Sequence, residues 1–419
     1  MRSWLAIIMA GLVLAGCKET TDLAGGDELI LPDPPRKSLT IPAQTRGAWV
    51  VRTTLKDRAA VKRIVDEAVV AGFNTLVVQV RGRGDAFFRD GLEPVAPFLN
   101  ESTFDPLEEI TRFAHARGVR VHAWVNSNLV ADVGAMPTAP EHVVNSHPEW
   151  LQVPEKLQRD LLSMGAHDAR FVPMLVQHGE LEKGTVEGLY GDPAVPEYRA
   201  HLAAIAADIA RRYPVDGIHL DYIRYPGPSF GVSTRGFELW RMALAARLTA
   251  KESTELKEAE QADPAYSLRK YPQAYANHRR EAVNAMVFEV QRMVRAVRPD
   301  VHMSAAVFPD PESCRERQFQ DWRLWLREGW IDTACPMNYA PERGAFDKAM
   351  QAELLAHPQR IWVGIGSWRI SVGETIDRMA AALRHGAGGT LLFSHGGLTE
   401  QPGSFQTLGE AAPRSPARD

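Results

Sequence analysis

Short apolar stretches and amphipathic segments take turns along most of this chain, and that alternation limits the fold more than any other feature. The strand-like stretches are 47–52, 75–81, 120–126, 217–221, 302–308, 333–338, 361–366 and 389–394. Helix-like segments cover 57–71, 106–117, 195–212, 275–298, 319–328, 346–357 and 374–385. Several of them run into a glycine, as at Ala71-Gly72 and Arg117-Gly118, which predicts a left-handed C-terminal cap. Strands that alternate with helices pair in parallel through crossover helices. Eight such repeats predict an α/β fold, a (β/α)8 TIM barrel. A doubly wound open sheet would carry a Gly-rich phosphate turn after its first strand, whereas Val51-Arg52-Thr53-Thr54-Leu55 stands there.

Two insertions interrupt the rhythm, one over 129–190 after the third strand and one over 227–272 after the fourth. Both leave from strand carboxyl ends, where barrel enzymes build their sites. The second contains Lys251-Glu252-Ser253-Thr254-Glu255-Leu256-Lys257-Glu258 and reads as a solvated helical arm. At the amino end, Arg2 precedes an apolar run that is too short to span a bilayer, and Leu14-Ala15-Gly16-Cys17 follows. This predicts a signal peptide over 1–17 with a lipobox and lipidation at Cys17, rather than a plain signal peptide with a chance cysteine. Lys18 follows the cysteine, which in a Gram-negative cell predicts an outer-membrane lipoprotein facing the periplasm. A flexible tether over 18–45, a (β/α)8 body over 46–410 and a disordered tail over 411–419 complete the expected organisation. An exported compartment would permit Cys314 and Cys335 to pair. The balance of 48 Lys+Arg against 52 Asp+Glu argues against a nucleic-acid partner.

The fourth strand carries the strongest chemical signal. In Ile218-His219-Leu220-Asp221, the apolar residues share one parity, so His219 and Asp221 face the barrel interior. A carboxylate there is costly unless it is paired or used. The structural reading is a salt bridge to Arg224 or Arg81; the functional one is a catalytic acid group, with Tyr222 and Arg224 beside it. Other strand ends bring Arg81, then His122, Trp124 and Asn126, then Asn338 and Tyr339, Trp368 and His395 to the same mouth. Aromatic faces that stack on sugar rings and amides that bond hydroxyls are what a carbohydrate site needs. Glycoside hydrolysis takes two carboxylates. Asp221 is expected as nucleophile or charge stabiliser. Asp85 and Glu93, on the loop after the second strand, are preferred as the acid over Asp310, Glu312 and Glu281.

Several separated motifs carry a family resemblance. They are Arg46-Gly47-Ala48-Trp49, Gln79-Val80-Arg81 with Gly84-Asp85-Ala86, His122-Ala123-Trp124-Val125-Asn126, and above all the run from Tyr213-Pro214 through Asp221-Tyr222-Ile223-Arg224-Tyr225-Pro226. Together they resemble the glycosyl hydrolase-like family ten, exported bacterial barrels often made as lipoproteins, over about residues 46–398. The resemblance implies a glycosidase, acting in at least one branch on peptidoglycan glycan strands stripped of their peptides, with the position of Asp221 as the catalytic carboxylate. The commoner Asp-Asp-Tyr of the family is Asp221-Tyr222-Ile223 here, so a second family carboxylate is absent, and Asn338-Tyr339 replaces a Gln-containing version.

The expected partner is therefore a cell-wall polysaccharide, with the membrane reached through the lipid anchor. No cofactor is called for. Two rival readings differ in class: a non-catalytic glycan-binding lipoprotein, and a metal-dependent barrel hydrolase using His122, His219 and His302. The second lacks the His-x-His pair on the first strand that such barrels supply.

Overall fold

The computed structural model describes residue 40 and residues 42–412, apart from 101 and 185. The predicted signal peptide, Cys17, most of the tether and residues 413–419 lie outside the described residues. Eight parallel strands close into a barrel: Thr45–Val50, Thr75–Arg81, Arg120–Asn126, Gly217–Asp221, His302–Val307, Thr333–Asn338, Trp362–Ile365 and Gly389–Leu392, with the last paired back onto the first. The fold is the expected (β/α)8 barrel. The first strand starts at Thr45, which pairs with Gly389, and it stops at Val50 because Arg52–Thr54 turns into a 3-10 helix.

The helices start and stop where side-chain chemistry dictates. Asp57 accepts the Ala60 amide at 2.8 Å ahead of helix Arg58–Val70. Asp105 accepts the amides of Leu107 and Glu108 ahead of Pro106–His115, whose first residue is a proline that has no amide to satisfy. The predicted glycine stops hold at Gly72 (φ 68°) and Gly118 (φ 71°), where a side chain would strain the left-handed backbone.

Strand alternation separates two layers of core. Ile218 and Leu220 pack outward into the apolar layer under the helices, the layer that also holds Val78, Val121 and Val287. Inside the barrel, Trp49, Val77, Trp124, Cys335, Trp362 and Leu391 form a separate cluster. The two remaining cysteines are free and buried, and they sit in different layers: Cys335 inside the barrel, Cys314 outside it. The barrel wall thus rules out the disulfide that an exported compartment would permit.

Both insertions are present and they are tied together. The first returns through a two-stranded antiparallel pairing of Leu129–Ala131 with Leu189–Tyr190. The second holds helices Thr234–Ala245 and Ala250–Ala262 over a small apolar cluster of its own, built on Phe237, Trp240, Leu268 and Tyr275. The charged arm expected from sequence is the second of these helices; it opens with a reciprocal Thr249–Glu252 capping box and is largely exposed. Asp192, fully buried, joins the two insertions. Its Oδ1 accepts the Tyr225 hydroxyl at 2.8 Å and the Ala194 amide at 2.9 Å, and its Oδ2 accepts the Ser233 amide at 2.8 Å.

Replacing Asp192 with alanine leaves these buried donors without an acceptor. Each orphaned donor costs about 1–3 kcal/mol. Asp192→Ala is therefore expected to lower stability by at least about 2 kcal/mol in urea denaturation and to loosen both insertions together, which hydrogen exchange would read.

Candidate active site

The carboxyl ends of the strands surround a cleft of about 470 Å³. Trp49, Arg52, Gln79, Arg83, Trp124, Asp221, Tyr222, Arg224, Tyr339 and Trp368 line it, together with Glu187 from the first insertion. Asp221 ends the fourth strand, paired in register with Asn126. His219, two residues earlier on the same face, lies beneath it. The Trp49 indole donates to His219 Nε2 at 3.2 Å, so the other ring nitrogen, Nδ1, carries the hydrogen and donates to Ser304 Oγ at 2.9 Å. Burial brings the His219 pKa down to about 3, so the ring is neutral.

The chain turns sharply after Asp221. Tyr222 adopts a left-handed backbone (φ 50°), a conformation that costs a residue of this type of order 1–3 kcal/mol and is found where function requires it. The turn brings the Tyr222 amide to 2.6 Å from Asp221 Oδ1. Burial pushes the Asp221 carboxyl up to about 6, against the pull of that amide and of Arg224, and the negative charge of Glu187 adds to the rise. At about 6 the Asp221 carboxyl keeps its proton to a higher pH than an ordinary carboxylate, which suits a proton donor, whereas the sequence reading expects a nucleophile or charge stabiliser.

Glu187 is the second carboxylate of the cleft, and the sequence reading missed it. It precedes Leu189–Tyr190, and the antiparallel pairing of those residues carries it over the mouth. Gly188 makes that pairing possible: at φ 150°, a Cβ there would lie 1.9 Å from the Ala131 carbonyl oxygen. Glu187 accepts the Tyr190 hydroxyl at 2.8 Å, the Tyr222 hydroxyl at 3.1 Å and an Arg224 guanidinium hydrogen at 3.0 Å. Burial opposes its charge, but Arg224 and the two hydroxyls outweigh it and hold the Glu187 carboxyl below the usual range. The only hint in sequence is the short Gly188-Leu189-Tyr190-Gly191 run that closes the insertion.

Of the residues expected at the mouth, Trp124, Asp221, Tyr222, Arg224, Tyr339 and Trp368 line the cleft. The others do not. A β-bulge between Gln79 and Arg81 breaks the strand alternation, so Gln79 reaches the cleft while Arg81 is fully buried. Arg81 makes a two-pronged ion pair with Glu93 (2.7 and 2.6 Å) and donates to the carbonyls of Asn126 and Ser127. Burial alone would raise the Glu93 carboxyl, yet Arg81 and His201 bring it down to about 2. Glu93 is thus a locked structural anion, not the acid expected from its loop. Asp85 accepts the amide of Arg83 at 2.7 Å and lines a neighbouring cleft, away from Asp221. Asn126 accepts the Trp124 indole N–H at 2.8 Å, and Asn338 donates to the Phe346 carbonyl. His122 lies in the barrel interior, 5.4 Å between ring centroids from both His302 and Trp362. His395 sits 3.0 Å from Glu67 and packs on Phe405. Asp310 caps a helix, Glu312 pairs with Arg323, and Glu281 is exposed. Among the described residues, no group of three or more His, Cys, Asp or Glu is placed to hold a metal ion.

Tyr339, Trp368 and Phe393 pack edge to face or tilted at 5.1–5.5 Å along one wall. Trp368, which lines the cleft, is 41% exposed and offers an apolar face of the kind that stacks on a sugar ring.

Residues 44–377 match the family described as glycosyl hydrolase-like 10. Similar chains include the glycosyl hydrolase DigH of Escherichia coli K12, 23% identical, with 89% of this chain and 84% of that protein covered. The glycosyl hydrolase YngK of Bacillus subtilis is 21% identical, with 74% of this chain and 55% of that protein covered. Among solved structures, the PgaB (BpsB) glycoside hydrolase domain of Bordetella bronchiseptica superposes with a TM-score of 0.59 at 13% identity, covering 88% of this chain and 98% of that one. The catalytic domain of a Paenibacillus polymyxa beta-amylase gives 0.55 at 12% identity, covering 88% of this chain and 100% of that one. At such identities these structures speak for the fold.

Two stability tests follow from the electrostatics. Removing one partner of a buried ion pair costs about 3–5 kcal/mol, so Glu93→Ala is expected to destabilise the protein by that amount in urea denaturation. The Glu93 contribution is present above its ordinary pKa of 4.5 and is lost as pH falls through about 2. Asp221 behaves oppositely. Its folded pKa of about 6 exceeds its ordinary value of 3.8, so its contribution is present below about pH 4 and is lost as pH rises through 6. Asp221→Asn, neutral throughout, is expected to gain about 3 kcal/mol at pH 7, at about 1.4 kcal/mol per pH unit, and nothing at acid pH; thermal melts across that range check it.

Proposed function

The chain belongs to the glycosyl hydrolase-like 10 family, and from that premise we propose that it hydrolyses glycosidic bonds in bacterial cell-wall glycan, taking peptidoglycan strands free of peptide. The observation that carries this reading is the pair of carboxyl groups in one aromatic-lined cleft whose environments push them in opposite directions: Asp221 up to about 6, Glu187 down. Two acids separated in this way divide the labour of glycoside cleavage. Asp221 gives its proton to the leaving oxygen as the bond to the anomeric carbon breaks. Glu187, ionised, faces the positive charge that develops on the sugar ring. Water supplies the oxygen that ends on the anomeric carbon, and its second hydrogen restores Asp221. Trp368 and Tyr339 support the ring by stacking.

The lipobox reading supports the location: anchored through Cys17 in the outer membrane, facing the periplasm and the glycan there. The resemblance to relatives named as glycosyl hydrolases agrees with the reaction class.

The test is incubation with peptide-free glycan strands and mass spectrometry of the products. Wild type is expected to release shortened glycans with one water added per cut. Asp221→Asn and Glu187→Gln are each expected to lose on the order of 10²–10⁴ in kcat, the usual contribution of a positioned acid or base. Since Asp221 must be protonated, activity is expected to fall as pH rises through about 6. Binding of the glycan without cleavage, unaffected by Asp221→Asn, would instead identify a binding protein.

A further inference from the structure

The cleft around Asp221 has a neighbour. A second cleft, of about 660 Å³, is lined by the loop after the second strand through Pro94 and Pro97 and by the first insertion through Ala131, Met136 and His142. Arg52 and Arg83 line both clefts and so mark their junction. The two guanidinium groups are half-buried and differ from Arg81 and Arg224 at the same end of the barrel. Arg81 is matched by Glu93 and Arg224 by Glu187, at ion-pair distance. No described carboxylate lies at that distance from Arg52 or Arg83.

What they do contact is neutral. Arg52 donates to Gln79 Oε1 at 3.1 Å, and Arg83 donates to the Gly82 carbonyl at 3.3 Å. The Nε of Arg83 is buried with no hydrogen-bond partner among the described residues. Burial first, and then the charge of Arg83, make the charged form of Arg52 costly, and Asp85 and Asp132 offset this only from a distance. Those two carboxylates are already engaged, Asp85 by the Arg83 amide and Asp132 by the Gly134 amide at 2.9 Å. Two like charges held together, partly out of water and short of partners, are the makings of a site for an anion.

We propose that Arg52 and Arg83 form a carboxylate subsite, which holds the acidic group of one sugar while a neighbouring sugar lies over Asp221. This rests on the glycosidase reading and adds a selection rule to it. A muramyl unit whose peptide has been removed carries a free carboxylate; one that keeps its peptide carries a neutral amide at the same carbon chain. The arginine pair distinguishes these two by charge, and the loss of peptide becomes the feature recognised. A uronate polymer offers the same carboxylate from a different position on the ring.

The test uses the full-length chain in detergent and measures binding by calorimetry to three probes: peptide-free peptidoglycan oligosaccharides, the same oligosaccharides with their carboxyl groups reduced to alcohols, and an oligogalacturonate. Wild type is expected to prefer the acidic peptidoglycan oligosaccharide over its reduced form by about tenfold or more, the worth of one hydrogen bond to a charged group. In Arg52→Gln/Arg83→Gln that ratio is expected to collapse towards one, while Arg83→Lys, which keeps the charge, retains most of it. Equal binding of acidic and reduced forms by wild type overturns the proposal, and so does a double variant that keeps the preference. Stronger binding of the galacturonate overturns the muramyl assignment and leaves the carboxylate subsite. The wild-type comparison does not depend on the variants folding. Discrimination without any cleavage would remove the glycosidase reading and leave the subsite in place.

Discussion

The hydrogen bond from Trp49 to His219 crosses the middle of the barrel, and the chemistry at the mouth depends on it. An indole nitrogen can only donate, so His219 is fixed as the tautomer that donates onward to Ser304. Strands one, four and five are thereby joined through a neutral, buried floor, with Trp124 packed beside it. Asp221 stands directly above on the same face of the fourth strand. A wet or cationic floor would let this carboxyl ionise at its ordinary value. A buried and neutral one withholds the solvation that the charge needs.

The opposite treatment of Glu187 comes from a different part of the chain. The barrel supplies desolvation, and the first insertion supplies a carboxylate that brings its own hydrogen-bond donors. Tyr190 follows it three residues later on the short strand Leu189–Tyr190, while Tyr222 and Arg224 come from the turn after Asp221. The left-handed conformation of Tyr222 serves both acids, since its amide meets Asp221 and its hydroxyl meets Glu187. Strain in one residue thus aligns two groups.

How much of this was legible in the sequence depends on the range of the interaction involved. The barrel was, because the alternation of periods repeats eight times and each repeat reinforces the others. So was the inward parity of His219 and Asp221, because strand geometry is local. Arg81 was misplaced by one local event, the bulge after Gln79, which no periodicity announces. The same parity argument put His122 and His219 on the right face but at the wrong depth: both fill the interior beneath the cleft. Glu93 sat on the expected loop, yet a partner twelve residues away had already neutralised it. Glu187 was invisible for a plainer reason. An insertion's path is set by tertiary pairing, here with Leu129–Ala131, and no residue near Glu187 records where that pairing will take it.

The shared anchor at Asp192 has a consequence for how such a barrel can diversify. Because this buried carboxylate, together with the amides of Val153 and Glu155 that donate to the Val232 and Ser229 carbonyls, fastens the first insertion to the start of the second, the two loops form one cap joined at this point. Neither can be lengthened, shortened or exchanged near that point without unfastening the other. New specificities are therefore expected to arise by changes of side chain on the cleft walls, with the loop framework inherited as a unit.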